Sequence, residues 1–201
     1  MRFGFTIGLG LAVLLGTSSA ALAFTPMQVL KKSNDEVRQI LKQAKGGTPS
    51  TEQKERIKRI VNGFLDYEEL AKRSLSDQWG KLKPAQRTEF VQVFRDLIER
   101  NYVKQLRSNV DYEIEYKNEE VKGADAIVHS TVRAERKGRS AETTIDYKLT
   151  EKGGHWAVYD VITDDVSLLR NYRSQFARII ERDGFPSLLA KMKRKLSETT
   201  E

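Results

Sequence analysis

Residues 156–176, WAVYDVITDDVSLLRNYRSQF, are where two periodicities meet. Trp156, Val158 and Asp160 alternate with Ala157, Tyr159 and Val161, the two-residue period of a strand. Leu168, Leu169, Tyr172, Phe176, Ile179 and Ile180 then recur at helical spacing. Between them lie Thr163, Asp164 and Asp165, side chains suited to cap a helix start and to favour its positive end. A sheet therefore hands the chain to a helix here, and the large apolar interior is expected between those two elements.

Upstream of this junction the pattern stays at period two. Val110, Tyr112, Ile114 and Tyr116 make one face of a strand, and Lys122-Gly123 turns the chain. Ala126, Val128, Ser130, Val132 and Ala134 form the apolar side of a second strand, with a hairpin turn at Arg136–Arg139. Ala141, Thr143, Ile145, Tyr147 and Leu149 form that of a third, and Lys152-Gly153-Gly154 turns into the fourth. Four strands joined by short turns predict an antiparallel meander with one wet and one dry face.

Helices flank the meander on both sides. Thr25-Pro26 opens the first, with Leu30, Val37, Ile40 and Leu41 on its apolar stripe and Gly46-Gly47 beyond its end. Ser50 with Gln53 reads as a capping box for a second helix bearing Ile57, Val61 and Phe64. Asp66 caps a short third helix with Leu70 and Leu75, and Trp79-Gly80 reads as a turn. Lys83-Pro84 starts a long helix, to about Arg107, whose broad apolar face includes Phe90, Phe94, Leu97 and Ile98. After the junction, Gly184-Phe185-Pro186 breaks the last helix into two. Helices, then a meander, then helices make an α+β fold, with the four-stranded sheet packed against N- and C-terminal helices.

The first residues read as a leader. Arg2, the apolar run Phe3–Leu15 and Ala21-Leu22-Ala23 have the order of a secretory signal peptide, with cleavage expected after Ala23. Residues 1–23 are thus a cleaved leader and 24–201 a single domain, placed in a periplasm. With no cysteine, the exported chain has no disulfide and no thiol chemistry. The net charge of +7 carries no nucleic-acid motif with it; in an exported protein it matches anionic lipid or acidic partner surfaces, or is simply a well-solvated surface with Lys and Arg spread over every helix.

A search for chemistry returns little. The two histidines, His129 and His155, lie on different strands and outside any hydrolase or metalloprotease motif. No metal-ligand spacing and no phosphate-cradling glycine loop occurs. Asp164 and Asp165 read as a cap, and Asp160 as an acceptor for nearby backbone. No enzyme, cofactor or metal is expected. What remains is burial: a sheet face rich in Tyr and Val opposite helices rich in Phe and Leu. Those two surfaces either interlock into a solid core, as in an exported interaction module, or leave a cavity.

Two blocks of this sequence carry a resemblance. The first runs from Phe64-Leu65-Asp66-Tyr67 through Leu75 and Trp79-Gly80 to Lys83-Pro84-Ala85-Gln86-Arg87, Glu89-Phe90 and Phe94. The second has Trp156, Tyr159-Asp160-Val161, Val166-Ser167-Leu168 and Asn171–Phe176. Together they resemble the toluene-tolerance family of MlaC-like periplasmic phospholipid-binding proteins. Ser76 and Asp165 stand where relatives often have Gly. The resemblance implies a monomeric carrier that holds lipid acyl chains in an apolar cavity between sheet and helices, its cargo a phospholipid or a hopanoid-type lipid. It implies exchange with an inner-membrane ABC transporter complex, through its membrane-anchored lipid-binding subunit, and with an outer-membrane lipoprotein complex. It implies no nucleic-acid partner. The expected lining is Phe64, Tyr67, Leu75, Trp79, Phe94 and Leu97 from the helices, with Val128, Val132, Ile145, Tyr147, Trp156, Val158 and Val166 from the sheet and its exit.

Overall fold

The computed structural model describes residues 24–44, 48–105, 112–136 and 139–198. The leader, Gly46-Gly47, Val110 and the Lys137-Gly138 tip lie outside them. Helix α1 (Pro26–Gln43) begins at a reciprocal capping box: Gln28 N donates to Thr25 Oγ1, and Thr25 N donates to Gln28 Oε1. Ser50 and Gln53 repeat that arrangement for α2 (Thr51–Phe64). Asp66 Oδ1 accepts from Glu69 N at 2.8 Å and caps α3 (Tyr67–Leu75). Where the sequence reads as a turn at Trp79-Gly80, the chain forms a five-residue helix, α4 (Asp77–Lys81). It presses Trp79 against the helical core beneath the guanidinium of Arg87. Helix α5 (Pro84–Gln105) follows.

Ser76 joins α3 to α4 at φ 49° and ψ −127°. A side chain at such a position strains the backbone, and Gly would adopt it without that cost. Replacing Ser76 with Gly relieves strain of about 1–3 kcal/mol and adds unfolded-state entropy of about 0.5–1 kcal/mol. The expected net gain is about 1 kcal/mol, read as a rise of about 2–4 °C in thermal midpoint.

Strands β1 (Tyr112–Lys122), β2 (Asp125–Arg136), β3 (Arg139–Lys152) and β4 (His155–Thr163) pair antiparallel in sequence order. A fifth, β5 (Val166–Ser167), extends the sheet beyond β4, so the meander has five strands and not four. The cause is Asp164-Asp165, at φ 45° and 64°, the paired left-handed residues of a tight two-residue hairpin. These aspartates therefore make a turn and leave the next helix to another cap. Ser167 Oγ takes that role, accepting from Arg170 N at 3.0 Å at the start of α6 (Leu168–Ser197). Gly184, at φ 79°, breaks α6 where the Gly-Phe-Pro sequence predicts.

A β-bulge at Tyr159 reshapes β4. Leu149 pairs with Val158 and Lys148 with Asp160, which leaves Tyr159 as the extra residue. The strict alternation read from the sequence stops there. Val161 comes opposite Tyr147 and joins Val158 on the inner face.

Three apolar clusters result. Among α3, α5 and α6, Phe90, Phe94 and Phe176 meet with ring centroids 5.3–5.6 Å apart. On the sheet, Ala126, Val128, Leu149 and Val158 pack under Leu30 of α1. Val37, Ile40, Leu41 and Ile57 join α1 to α2.

Candidate functional site

The sheet cluster and the helical cluster do not close on each other. Between them lies a half-enclosed cavity of about 840 Å³. Helix α2 and its exit lend Val61, Phe64 and Leu65; Asp66, Tyr67 and Leu70 come from the start of α3. Ile98 and Asn101 come from α5, and Leu168 and Tyr172 from α6. The sheet contributes Tyr147 from β3 and Val158–Val161 with Thr163 from β4.

Strand β4 is the fixed wall, held on both sides. Asp66 N donates to Val158 O at 2.8 Å, which pins the α2–α3 link to the strand. Asp160, 2% exposed, accepts from Ser167 Oγ at 2.7 Å and from Leu169 N at 2.9 Å. That is the backbone-satisfying role the sequence assigns to Asp160, and it ties the strand to the first turn of α6.

Charged groups near the cavity are satisfied by one another. Lys152, at the β3–β4 hairpin, reaches Asp66 Oδ2 at 2.6 Å and Glu69 Oε2 at 3.4 Å. Glu69 also accepts from Arg73 Nε at 2.8 Å, and the Arg73 guanidinium lies 4.0 Å from the centre of the Tyr159 ring. Glu99 takes Lys58 at 2.8 Å, Arg95 at 2.6 Å and Asn62 at 2.8 Å, and Asn62 Oδ1 accepts from Tyr67 OH at 2.7 Å. No Lys or Arg is among the described lining residues. Burial pushes the Tyr147 phenol up to about 12 and raises Tyr67 further, so both stay neutral in the wall. Among the described residues, no His, Cys, Asp and Glu side chains group to hold a metal ion.

Burial alone would raise the carboxyls of Glu69 and Glu99. Their hydrogen bonds and nearby cations outweigh it and hold both below the ordinary glutamate range. A depressed folded value means stability that is present above the unfolded pKa of about 4.3 and is lost as pH falls through the folded value. The thermal midpoint should therefore be flat from neutral pH to about pH 5 and fall below about pH 4. A Glu69→Gln/Glu99→Gln double variant should start lower and lose less on acidification.

Four of the expected lining residues, Phe64, Tyr67, Tyr147 and Val158, come together at the cavity. The other nine sit elsewhere. Leu75, Phe94 and Leu97 fill the helical cluster, where Phe94 is saturated by neighbouring rings, and Trp79 packs on its side. Val128 is fully buried under α1, and Trp156 borders the same cluster. Val132 and Ile145 are half-buried farther along β2 and β3, and Val166 is 55% exposed on the last strand. Tyr159 and Val161 escape the sequence reading because the bulge hides their faces. Val61, Leu70, Ile98 and Tyr172 have the right helical spacing, but spacing does not tell a cavity wall from a filled core.

A five-stranded antiparallel sheet set apart from a helical layer by an apolar hollow defines a container fold. A family model described as MlaC protein matches residues 31–194, and the chain belongs to that family. The intermembrane phospholipid transport system binding protein MlaC of Haemophilus influenzae is 23% identical over 137 residues, 67% of this chain and 64% of that protein. The match thus spans just under two thirds of that relative's length. The fold is shared with the phospholipid-binding protein from Ralstonia solanacearum, solved in complex with a phospholipid. That similarity has a TM-score of 0.71 at 21% identity and covers 85% of this chain and 96% of the other.

Proposed function

We propose that this protein is a periplasmic lipid carrier, exported by the leader at residues 1–23. It holds the acyl chains of a phospholipid in the cavity. It passes the lipid between an inner-membrane ABC transporter complex, with its membrane-anchored lipid-binding subunit, and an outer-membrane lipoprotein complex, and so helps maintain outer-membrane lipid asymmetry. The observation that carries this reading is the mostly apolar 840 Å³ cavity with no Lys or Arg among its described lining residues. The phospholipid in the Ralstonia solanacearum structure and the transport role in the Haemophilus influenzae protein's name support it.

Magnitudes agree with a diacyl cargo. At roughly 30 Å³ per methylene, about one water's share of the liquid, the cavity takes roughly 28 methylenes, or two acyl chains. Their transfer into water would cost about 0.8 kcal/mol each, roughly 22 kcal/mol together. A mostly apolar wall removes much of that barrier. With no Lys or Arg among the described lining residues, the phosphate is better placed at the mouth than inside.

Transfer of a fluorescent phospholipid between donor and acceptor vesicles tests the reading. The protein should raise the transfer rate in proportion to its concentration. A rate unchanged by protein would overturn it.

A further inference from the structure

Charge is distributed unevenly along this chain. Residues 112–167, the sheet, hold twelve acidic and eight basic side chains. Helix α6 holds eight Lys and Arg against Glu181 and Asp183 alone. On it Arg170, Arg173, Arg178, Arg182, Lys193 and Lys195 are exposed, on both sides of the Gly184 break. Arg170, Arg173, Arg178 and Lys195 make no ion pair with any described residue.

We infer that the outer side of α6 adsorbs this protein onto an anionic lipid bilayer. The inference does not depend on what the cavity holds. Two observations favour a bilayer over an acidic protein. A specific protein interface is anchored by large apolar or aromatic side chains, and the exposed side of α6 carries none: among the described residues the exposed large hydrophobics are Phe24, Val121 and Val166. Adsorption to an anionic leaflet needs only spread cations close to the surface, which is what this helix presents. Val166 stands at the foot of α6, paired with Thr163 of the cavity lining. The helix that meets the membrane therefore begins at the cavity.

Vesicle co-sedimentation tests this. The protein should bind phosphatidylcholine vesicles that contain phosphatidylglycerol and not vesicles of phosphatidylcholine alone. Binding should fade as salt shortens the screening length from about 10 Å at 0.1 M to about 3 Å at 1 M. Arg178→Gln/Arg182→Gln/Lys195→Gln should weaken it about 100-fold, about fivefold per cation. A charge-matched variant on α2, Lys54→Gln/Arg56→Gln/Arg59→Gln, should bind within about twofold of the parent, because that helix is not the contact. Val161→Glu, which alters only the cavity, should also bind like the parent, which separates adsorption from lipid capture. Equal binding to uncharged vesicles, or equal loss in the α2 and α6 variants, would overturn the inference. So would no vesicle binding at all, including the case where the protein is instead retained by immobilised polyglutamate in a salt-sensitive way.

Discussion

Val161→Glu should yield a folded protein that retains almost no lipid. Val161 lines the cavity on the fixed strand, opposite Tyr147 in the register, and is only half-buried. In the empty protein a carboxylate there still meets water in the half-enclosed cavity, so the fold tolerates it. Once acyl chains fill the space, that carboxylate loses its hydration, and no cation among the described lining residues replaces it. The effective penalty is several kcal/mol per ion, and each 1.4 kcal/mol is about a factor of ten in affinity. Loading should fall by at least about 1,000-fold while far-UV circular dichroism is unchanged. Val161→Leu, apolar and of similar volume, should load like the parent. A folded glutamate variant that loads normally would move the acyl chains away from β4.

Asp160→Ala should lower the thermal midpoint by about 6–12 °C, the second large effect. Two buried donors, Ser167 Oγ and Leu169 N, end on this one carboxylate. Removing it leaves both without a partner, at about 1–3 kcal/mol each. A total of about 3 kcal/mol corresponds to that shift for a domain of this size. The loss falls at the joint between β4 and α6, so the variant should also release lipid faster. A shift under about 2 °C would mean that the joint is held by packing alone.

That joint is also where the sequence was most and least readable. Asp160 as a backbone-satisfying acceptor, the helical face of Leu169, Tyr172 and Phe176, and the break at Gly184 all follow from residue type and spacing. So do the capping boxes at Thr25 and Ser50, because each is completed within four residues. Asp164-Asp165 misled because the same side chains serve caps and left-handed turns, and only the pairing of Thr163 with Val166 distinguishes the two uses. The bulge at Tyr159 has no signature in residue type, yet it moves Val161 to the inner face. Phe94 and Tyr67 look alike in sequence as aromatic residues on apolar helical faces. One is enclosed by Phe90, Tyr172 and Phe176 and the other borders a hollow, a difference set by how far two layers stand apart. The two non-glycine departures, Ser76 and Asp165, fall on positive-φ positions, so they bear on backbone strain and not on the cavity.

The hollow between sheet and helices is proposed to carry lipid. Organic-solvent extraction of the protein purified from its native compartment, followed by quantitative mass spectrometry, tests it most directly. About one diacyl phospholipid per chain should be recovered, as room for roughly 28 methylenes requires. Protein that is folded yet holds no lipid, and takes up none when lipid is supplied, would contradict it.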